Sequence, residues 1–356
     1  MPTSPAQLRL LALLRDSLWG TNMAAAMPPA SHAEWLDVYR CARRHTVTAV
    51  AFDAVTGLPA HMLPPHDIIV LWAAQSEAIR LRSHAMDAAV SHAVQYLRDL
   101  GTDPLLIKGQ TMARLYPSPM SRQCGDIDLC IPSRNQFGNV CESLSRLKTP
   151  LKHHSDKSVS FHLDNTEVEL HPSLLDIHTP SSRRRISSLL TALPHTTVEI
   201  GGCHITTPHP AVTLLIISTH ILKHAMGHGI GLRQICDMAM ACRAISGTLP
   251  SGSFETLVFA ARLDKWISRL MSLLVLHLGM PRDLMPYPVE ISERRARPLL
   301  HIVMSSGNFG RRPNTDSTWQ RRTATAAAFM RRSRFSATTA PLEALWSIWS
   351  LTKGML

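Results

Sequence analysis

Residues 125–131, Gly-Asp-Ile-Asp-Leu-Cys-Ile, constrain this chain more than any other stretch. Side chains alternate between the two faces of an extended strand. A strand over Asp126 to Ile131, stopped by Pro132, therefore turns Asp126 and Asp128 to one face and Ile127, Leu129 and Ile131 to the other. Glu167-Val168-Glu169-Leu170-His171 repeats the pattern, with Glu167 and Glu169 on one face and Val168 and Leu170 turned to a core. Carboxylates one residue apart on a strand form either a solvated acidic face or a holder for a hard cation such as Mg²⁺, which prefers oxygen ligands and shares them with substrate phosphates.

These strands sit in a short segment between two long helical stretches. Residues 1–100 carry apolar residues at helical spacing, most clearly from Ile68 to Leu100, with Gly57-Leu58-Pro59 and Pro64-Pro65 as breaks and Gly101 as the stop. From 104 the pattern changes. Pro104 to Ile107 reads as a short buried strand, Gln110 to Tyr116 and Ser133 to Leu147 as helices, and 158–163 and 167–171 as strands around the turn Asp164-Asn165. Helical spacing returns over Ala211 to Ala225, Arg233 to Ala244 and Phe254 to Leu278, and residues 283–356 look less regular. The arginine pairs 311–312, 321–322 and 331–332 are too few to count as a repeat.

The chain has 356 residues with 45% hydrophobic and 18% charged side chains, which excludes a disordered chain. No apolar run reaches the ~18 residues of a membrane-spanning helix. The leucine-rich start, Leu8 to Leu14, is interrupted by Arg9 and bounded by Arg15, and reads as an amphipathic helix rather than a signal peptide. Seven cysteines, without a C-x-x-C pair, read as reduced thiols of a cytoplasmic protein. The net charge of +11 raises nucleic acid as a partner. Eleven Lys/Arg against three Asp/Glu lie from residue 291 onward, however, away from the acidic strands, so nucleic acid is not favoured. The tail from Arg331 through Trp349 reads either as a basic amphipathic helix for a membrane surface or as a helix docked on the protein with its arginines outward.

Around the acidic pair stand further candidates. Lys108-Gly109 follows a strand and opens a helix, where backbone N–H groups favour phosphate and a lysine adds a mobile charge. Gly125 allows a tight turn or close approach by a ligand. Arg122 lies in a loop within reach of the same phosphates. His220, His224 and His228 fall near one helical face and form either a cleft wall or, less in keeping with the absence of H-E-x-x-H, a zinc site. Arg233 and Asp237, four apart, can pair across one turn. The third carboxylate is Glu167 or Glu169. No P-loop, nucleophile elbow or Rossmann glycine pattern is present.

Together, Leu106-Ile107-Lys108-Gly109, Leu115-Tyr116-Pro117, Arg122, Gly125-Asp126-Ile127-Asp128-Leu129, Glu169-Leu170-His171, His220 with Lys223-His224, Leu232-Arg233 with Asp237, and Pro341-Leu342-Glu343-Ala344-Leu345-Trp346 resemble the bacterial uncharacterised nucleotidyltransferase family of the DNA polymerase beta-like superfamily. The resemblance spans roughly residues 30 to 350. It implies an α+β fold: a small mixed-sheet nucleotidyltransferase core at 101–205, a helical N-terminal region at 1–100, and a helical C-terminal region at 206–356 that closes over the nucleotide. It implies transfer of a nucleoside monophosphate from an NTP, ATP among them, to a hydroxyl-bearing acceptor, a small molecule, sugar or protein. Two Mg²⁺ ions, with Mn²⁺ able to substitute, are implied on Asp126, Asp128 and Glu169. Lys108, Gly109, Arg122 and Gly125 are then the phosphate-side residues, and His171, His220, Lys223, His224 and Arg233 line the substrate cleft. A nucleotide-binding regulator or antitoxin-like module with little turnover, and an RNA-modifying nucleotidyltransferase, are the alternatives. Where the wider superfamily has Gly-Gly or Gly-Ser before its carboxylate pair, this chain has Gly109-Gln110.

Overall fold

A computed structural model describes residues 3–154, 157–250, 252–308, 327 and 330–353. The arginine pairs at 311–312 and 321–322 lie outside the described residues.

Four helices open the chain: α1 (Pro5–Trp19), α2 (His32–Arg44), α3 (Thr48–Val55) and α4 (His66–Asp99). The start of α1 is set by a reciprocal cap, in which Gln7 N–H donates to Ser4 Oγ and Ser4 N–H donates to the Gln7 side chain. Helix α4 is 34 residues long because nothing between Pro65 and Gly101 breaks it. Its buried positions Ile68, Trp72, Ser76, Ile79, Ser83, Met86, Val90, Ala93, Val94 and Leu97 recur every three or four residues. The first half carries Trp72, packed against Trp35, Tyr39 and Phe52, into a helical core. The second half lies on a sheet.

That sheet has five strands in the order β1 (Leu105–Leu106), β2 (Ile127–Cys130), β5 (Thr166–His171), β4 (Val159–Leu163), β3 (Lys152–His153). The β2–β5 pair is parallel and the other pairs are antiparallel, so the sheet is mixed. A short helix α5 (Gln110–Ala113) follows β1, and α6 (Arg134–Arg146) follows β2. Ile127, Leu129, Val168 and Leu170 are buried against the second half of α4 and Val140 and Leu144 of α6. After β5 come α7 (Pro180–Ala192) and a separate hairpin, β6 (Thr196–Ile200) with β7 (Cys203–Thr207). Gly201 at its tip has φ +56°, and a Cβ there would stand 2.7 Å from the Asp87 carbonyl oxygen of α4.

The C-terminal helices are α8 (Pro210–Met226), α9 (Leu232–Ile245), α10 (Ser253–Ala261), α11 (Asp264–His277), α12 (Glu293–Ser306), α13 (Ser333–Thr339) and α14 (Pro341–Lys353). They share one apolar core with α1 to α3, in which Leu10, Leu14 and Trp35 join Leu215, Ile235, Trp266 and Leu270. The fold is α+β with a mixed sheet and flanking helices. Several elements depart from the sequence expectation. The single helix expected over Phe254 to Leu278 is two, because Arg262 takes the left-handed conformation (φ +59°) and Leu263 N–H returns to the Val258 carbonyl. The region after 283, expected to be irregular, contains α12 despite Pro298 within it.

Among the described residues, no helix is long and apolar enough to cross a membrane. The tail helix α14 docks on the protein through Glu343, Ala344 and Ser347, and leaves Leu345, Ile348 and Trp349 outward. Arg332 caps the end of α8, donating to the carbonyls of His224, Ala225, Gly227 and His228.

Candidate active site on the acidic face of the sheet

Parallel pairing of β2 and β5 sets Asp128 opposite Glu169 and Cys130 opposite His171. Alternation then turns Asp128, Glu169 and His171 to one face while Ile127, Leu129, Val168 and Leu170 fill the other. Cys130, on the acidic face, packs into the core shared by the C-terminal helices. The acidic end of this face therefore lies between the sheet and helices α8 and α9.

The side chains converge closely. His171 Nε2 is 2.8 Å from Asp128 Oδ1 and 3.9 Å from Glu169 Oε1. Lys108 Nζ is 3.5 Å from the same Asp128 oxygen, and Ser158 Oγ donates to Glu169 Oε1 at 2.5 Å. Among the described residues, Asp128, Glu169 and His171 offer donor atoms that all lie within 4.8 Å of one another. Two carboxylate oxygens and an imidazole nitrogen at that separation fit a divalent cation. Burial works to raise the Asp128 pKa, but Lys108, His171 and His220 overcome it and hold the carboxyl well below its usual range. Burial likewise works against the Lys108 charge, and Asp128, Asp176 and Glu169 together keep that ammonium protonated beyond its ordinary pKa.

Asp126 stands just before β2 at the solvent-exposed rim, outside the three-residue group. Thinned hydration and the neighbouring Asp128 charge push its carboxyl upward, against Arg233 and Lys108. Gly125 is exposed, with nothing within 4 Å of where a Cβ would stand. Gly109, by contrast, sits where the absence of a Cβ matters, since its φ is +70°. It lies between Lys108 and α5, and a Cβ there would stand 3.5 Å from the Asp126 carbonyl oxygen. Of the two glutamates on β5, Glu169 faces Asp128, whereas Glu167 pairs in register with His162 further along the strand.

The arginines divide between two situations. The Arg122 guanidinium is buried and forked onto Asp237, with Nε to Oδ1 at 3.0 Å and Nη2 to Oδ2 at 2.7 Å. Tyr116 OH donates to the same Asp237 Oδ1 at 2.8 Å. Asp237 is thus the partner of Arg122 rather than of Arg233, its neighbour one turn away on α9. Arg233 instead donates from Nη1 to the Gln123 carbonyl at 2.9 Å, and its buried Nε has no partner among the described residues. Burial, with Arg122 beside it, pulls the Arg233 pKa below its ordinary value, against Asp237 and Asp126.

The end of α8 reaches the same place through a residue that the sequence pattern did not single out. Asp176, in the loop after β5, accepts from Lys223 Nζ at 2.7 Å and lies 3.4 Å from His220 Nδ1. His220 and His224 meet edge to face, with ring centroids 4.5 Å apart. Burial drives His220 down to about 4 and His224 well below its ordinary value, so the site disfavours the charged form of both rings. Asp176, despite burial, is held well below its usual range by Lys223, His220 and Lys108. Asp176 follows an irregular Pro-Ser-Leu-Leu stretch that gives no periodic signal, and Ser158 sits at a strand start with no motif around it. A surface cleft of about 570 Å³ between α1 and α2 is lined by none of these residues.

A family model described as uncharacterised nucleotidyltransferase matches residues 31–279. No curated protein matches. Among solved structures, an antigenic nucleotidyltransferase-like protein from Paracoccidioides brasiliensis is similar at 15% identity, covering 59% of this chain and 96% of that chain, with a TM-score of 0.36.

Proposed function

The chain belongs to the uncharacterised nucleotidyltransferase family, and from that premise we propose that it moves a nucleoside monophosphate from a nucleoside triphosphate to a hydroxyl-bearing acceptor in a metal-dependent reaction. The observation that carries this reading is the convergence of Asp128, Glu169 and His171, with Lys108, on one sheet face. Asp126, Asp128 and Glu169 would hold the divalent ions, with Mg²⁺ as the first choice for oxygen donors. A bound ion would polarise the α-phosphate and offset the charge that develops as pyrophosphate leaves.

The chain's own groups do the rest. Ser158 fixes one oxygen of Glu169, which keeps the carboxylate in one rotamer facing Asp128. Lys108 balances the negative charge of the acidic face and, with Gly109 beside it, takes the phosphate side. Arg233, with a donor left over, joins Lys108 there. Arg122 acts as a positioning residue, because its fork is filled by Asp237 and ties the loop before Gly125 to α9. His220, Lys223 and His224, gathered by Asp176, wall the cleft on the side open to the acceptor.

The test is label transfer. The protein is incubated with labelled ATP, CTP, GTP and UTP, Mg²⁺ and a cell extract, beside Asp126→Asn/Asp128→Asn. Transfer that depends on the two aspartates is expected. Nucleotide binding without any such transfer would replace this reading with that of a binding regulator. RNA as the labelled product, with steep salt dependence of RNA binding, would identify nucleic acid as the acceptor.

A further inference from the structure

We propose that His171 is itself a metal ligand, and that the resulting nitrogen–oxygen set makes the site favour the divalent transition ions over Mg²⁺, with Mn²⁺, the weakest-binding of them, already ahead of it. The inference rests on the metal-dependent reading above, adds His171 to the ligands and replaces Mg²⁺ as the preferred ion.

The geometry points to it. His171 and Glu169 lie two apart on β5 and so share a face, and Asp128 faces both from the adjacent parallel strand. His171 Nε2 is the atom that approaches both carboxylates, at 2.8 Å and 3.9 Å. An ion with bonds of ~2.0–2.2 Å sets neighbouring donors ~3 Å apart at right angles and ~4 Å apart across the ion. The two separations fall in that range, and the third pair, Asp128 and Glu169, offers oxygens within 4.8 Å of each other, so side-chain adjustment alone lets an ion replace the proton between Nε2 and Oδ1. Ser158 steadies Glu169 from outside, as supporting groups around metal ligands do. Lys108 Nζ shares Asp128 Oδ1, and that oxygen, with two lone pairs, can serve both.

An imidazole nitrogen changes which ion wins. Mg²⁺ demands hard oxygen donors and retains its water, whereas Mn²⁺ and the later divalent ions gain affinity from nitrogen. Three oxygens would leave Mg²⁺ the natural occupant. Replacing one with a histidine nitrogen removes that advantage.

The experiment uses the full chain and Mn²⁺ as the probe. Mn²⁺ is titrated by electron paramagnetic resonance, and the bound ion is examined by electron spin echo modulation in protein with natural or ¹⁵N-labelled histidine. Imidazole nitrogen coupling that changes on ¹⁵N labelling is expected, and His171→Asn should abolish it while loosening Mn²⁺ by ~10-fold or more and Mg²⁺, measured by competition, by much less. His171→Gln repeats the test if the Asn variant does not fold, and the labelled parent protein needs no variant. Bound Mn²⁺ without imidazole coupling overturns the inference and leaves the proposed function standing. Coupling that survives in both His171 variants also overturns it, assigning the nitrogen to another histidine. Absence of both Mn²⁺ and Mg²⁺ binding, with and without nucleotide, overturns the metal-dependent reading as well.

Discussion

Changing Asp237 to Asn removes one charge and nearly preserves the side chain's volume. In the parent protein that carboxylate receives Arg122 Nε at 3.0 Å, Arg122 Nη2 at 2.7 Å and Tyr116 OH at 2.8 Å. Both side chains of the ion pair are 6% exposed, so water can neither screen the pair nor replace the lost partner. Asn retains one acceptor oxygen and turns an NH₂ toward the second arm of the guanidinium, donor against donor. A buried charge left half-paired in this way costs about 3–5 kcal/mol. With ~2.1 cal/mol/K of unfolding entropy per residue, a chain of 356 residues loses about 4–7 °C in Tm for that change. Urea titration followed by far-UV circular dichroism gives the free energy, and scanning calorimetry gives the Tm. The double replacement Arg122→Met/Asp237→Leu, which removes both charges, should recover most of the loss, because desolvation of the pair nearly cancels its attraction. A loss under ~1 kcal/mol in Asp237→Asn would refute the reasoning. It would mean that Arg122 is solvated and free to turn to another anion, including a phosphate.

Other outcomes follow from the same structure. Stability should fall as pH drops below ~6.5, because the unfolded chain then protonates histidines that the folded chain keeps neutral. Burial holds His45 at about 3 and His220 at about 4, so the two together contribute a slope that approaches ~2.7 kcal/mol per pH unit near pH ~5 and is smaller toward pH ~6 and ~4. His45 Nδ1 accepts from Leu232 N–H at the start of α9, and His45→Gln should remove about half of that slope in urea midpoints compared at pH 7, 6 and 5. A flat profile in the parent would sink the argument. Glu343→Ala leaves the N–H groups of His178 and Thr179 and the Thr179 hydroxyl without their acceptor, a loss of ~2–3 kcal/mol by chemical denaturation. A neutral result there would show that α14 is not docked as described. Gly109→Ala should cost ~1–3 kcal/mol in urea denaturation from backbone strain alone, since φ +70° with ψ −114° is a conformation that only glycine adopts readily and the nearest atom to the added methyl is 3.5 Å away.

The mixed character of the chain was legible because its signals are local. Alternation over 126–131 and 167–171 and three-to-four spacing over 68–97 need only neighbouring residues to be read. The same alternation placed Asp128 and Glu169 on their strand faces. What it could not supply was which strands pair. Parallel pairing of β2 with β5, 43 residues apart at Asp128 and His171, decides that His171 rather than Asp126 completes the close three-residue group. The helix break at Arg262 was hidden because the chain takes a left-handed turn there without glycine, as Leu263 and Trp266 go into the core.

The sequence by itself determined the elements around the acidic strands, the carboxylate faces and the family, since propensity, periodicity and motif order are properties of nearby residues. Tertiary structure alone decided the partners. Arg122 meets Asp237 across 115 positions, Lys223 meets Asp176 across 47, and Glu343 meets Thr179 across 164. A side chain's electrostatic partner is chosen by how helices pack onto the sheet. Burial then makes each such choice costly to undo, which is why Arg122 is a structural fork and Arg233 retains a donor to give.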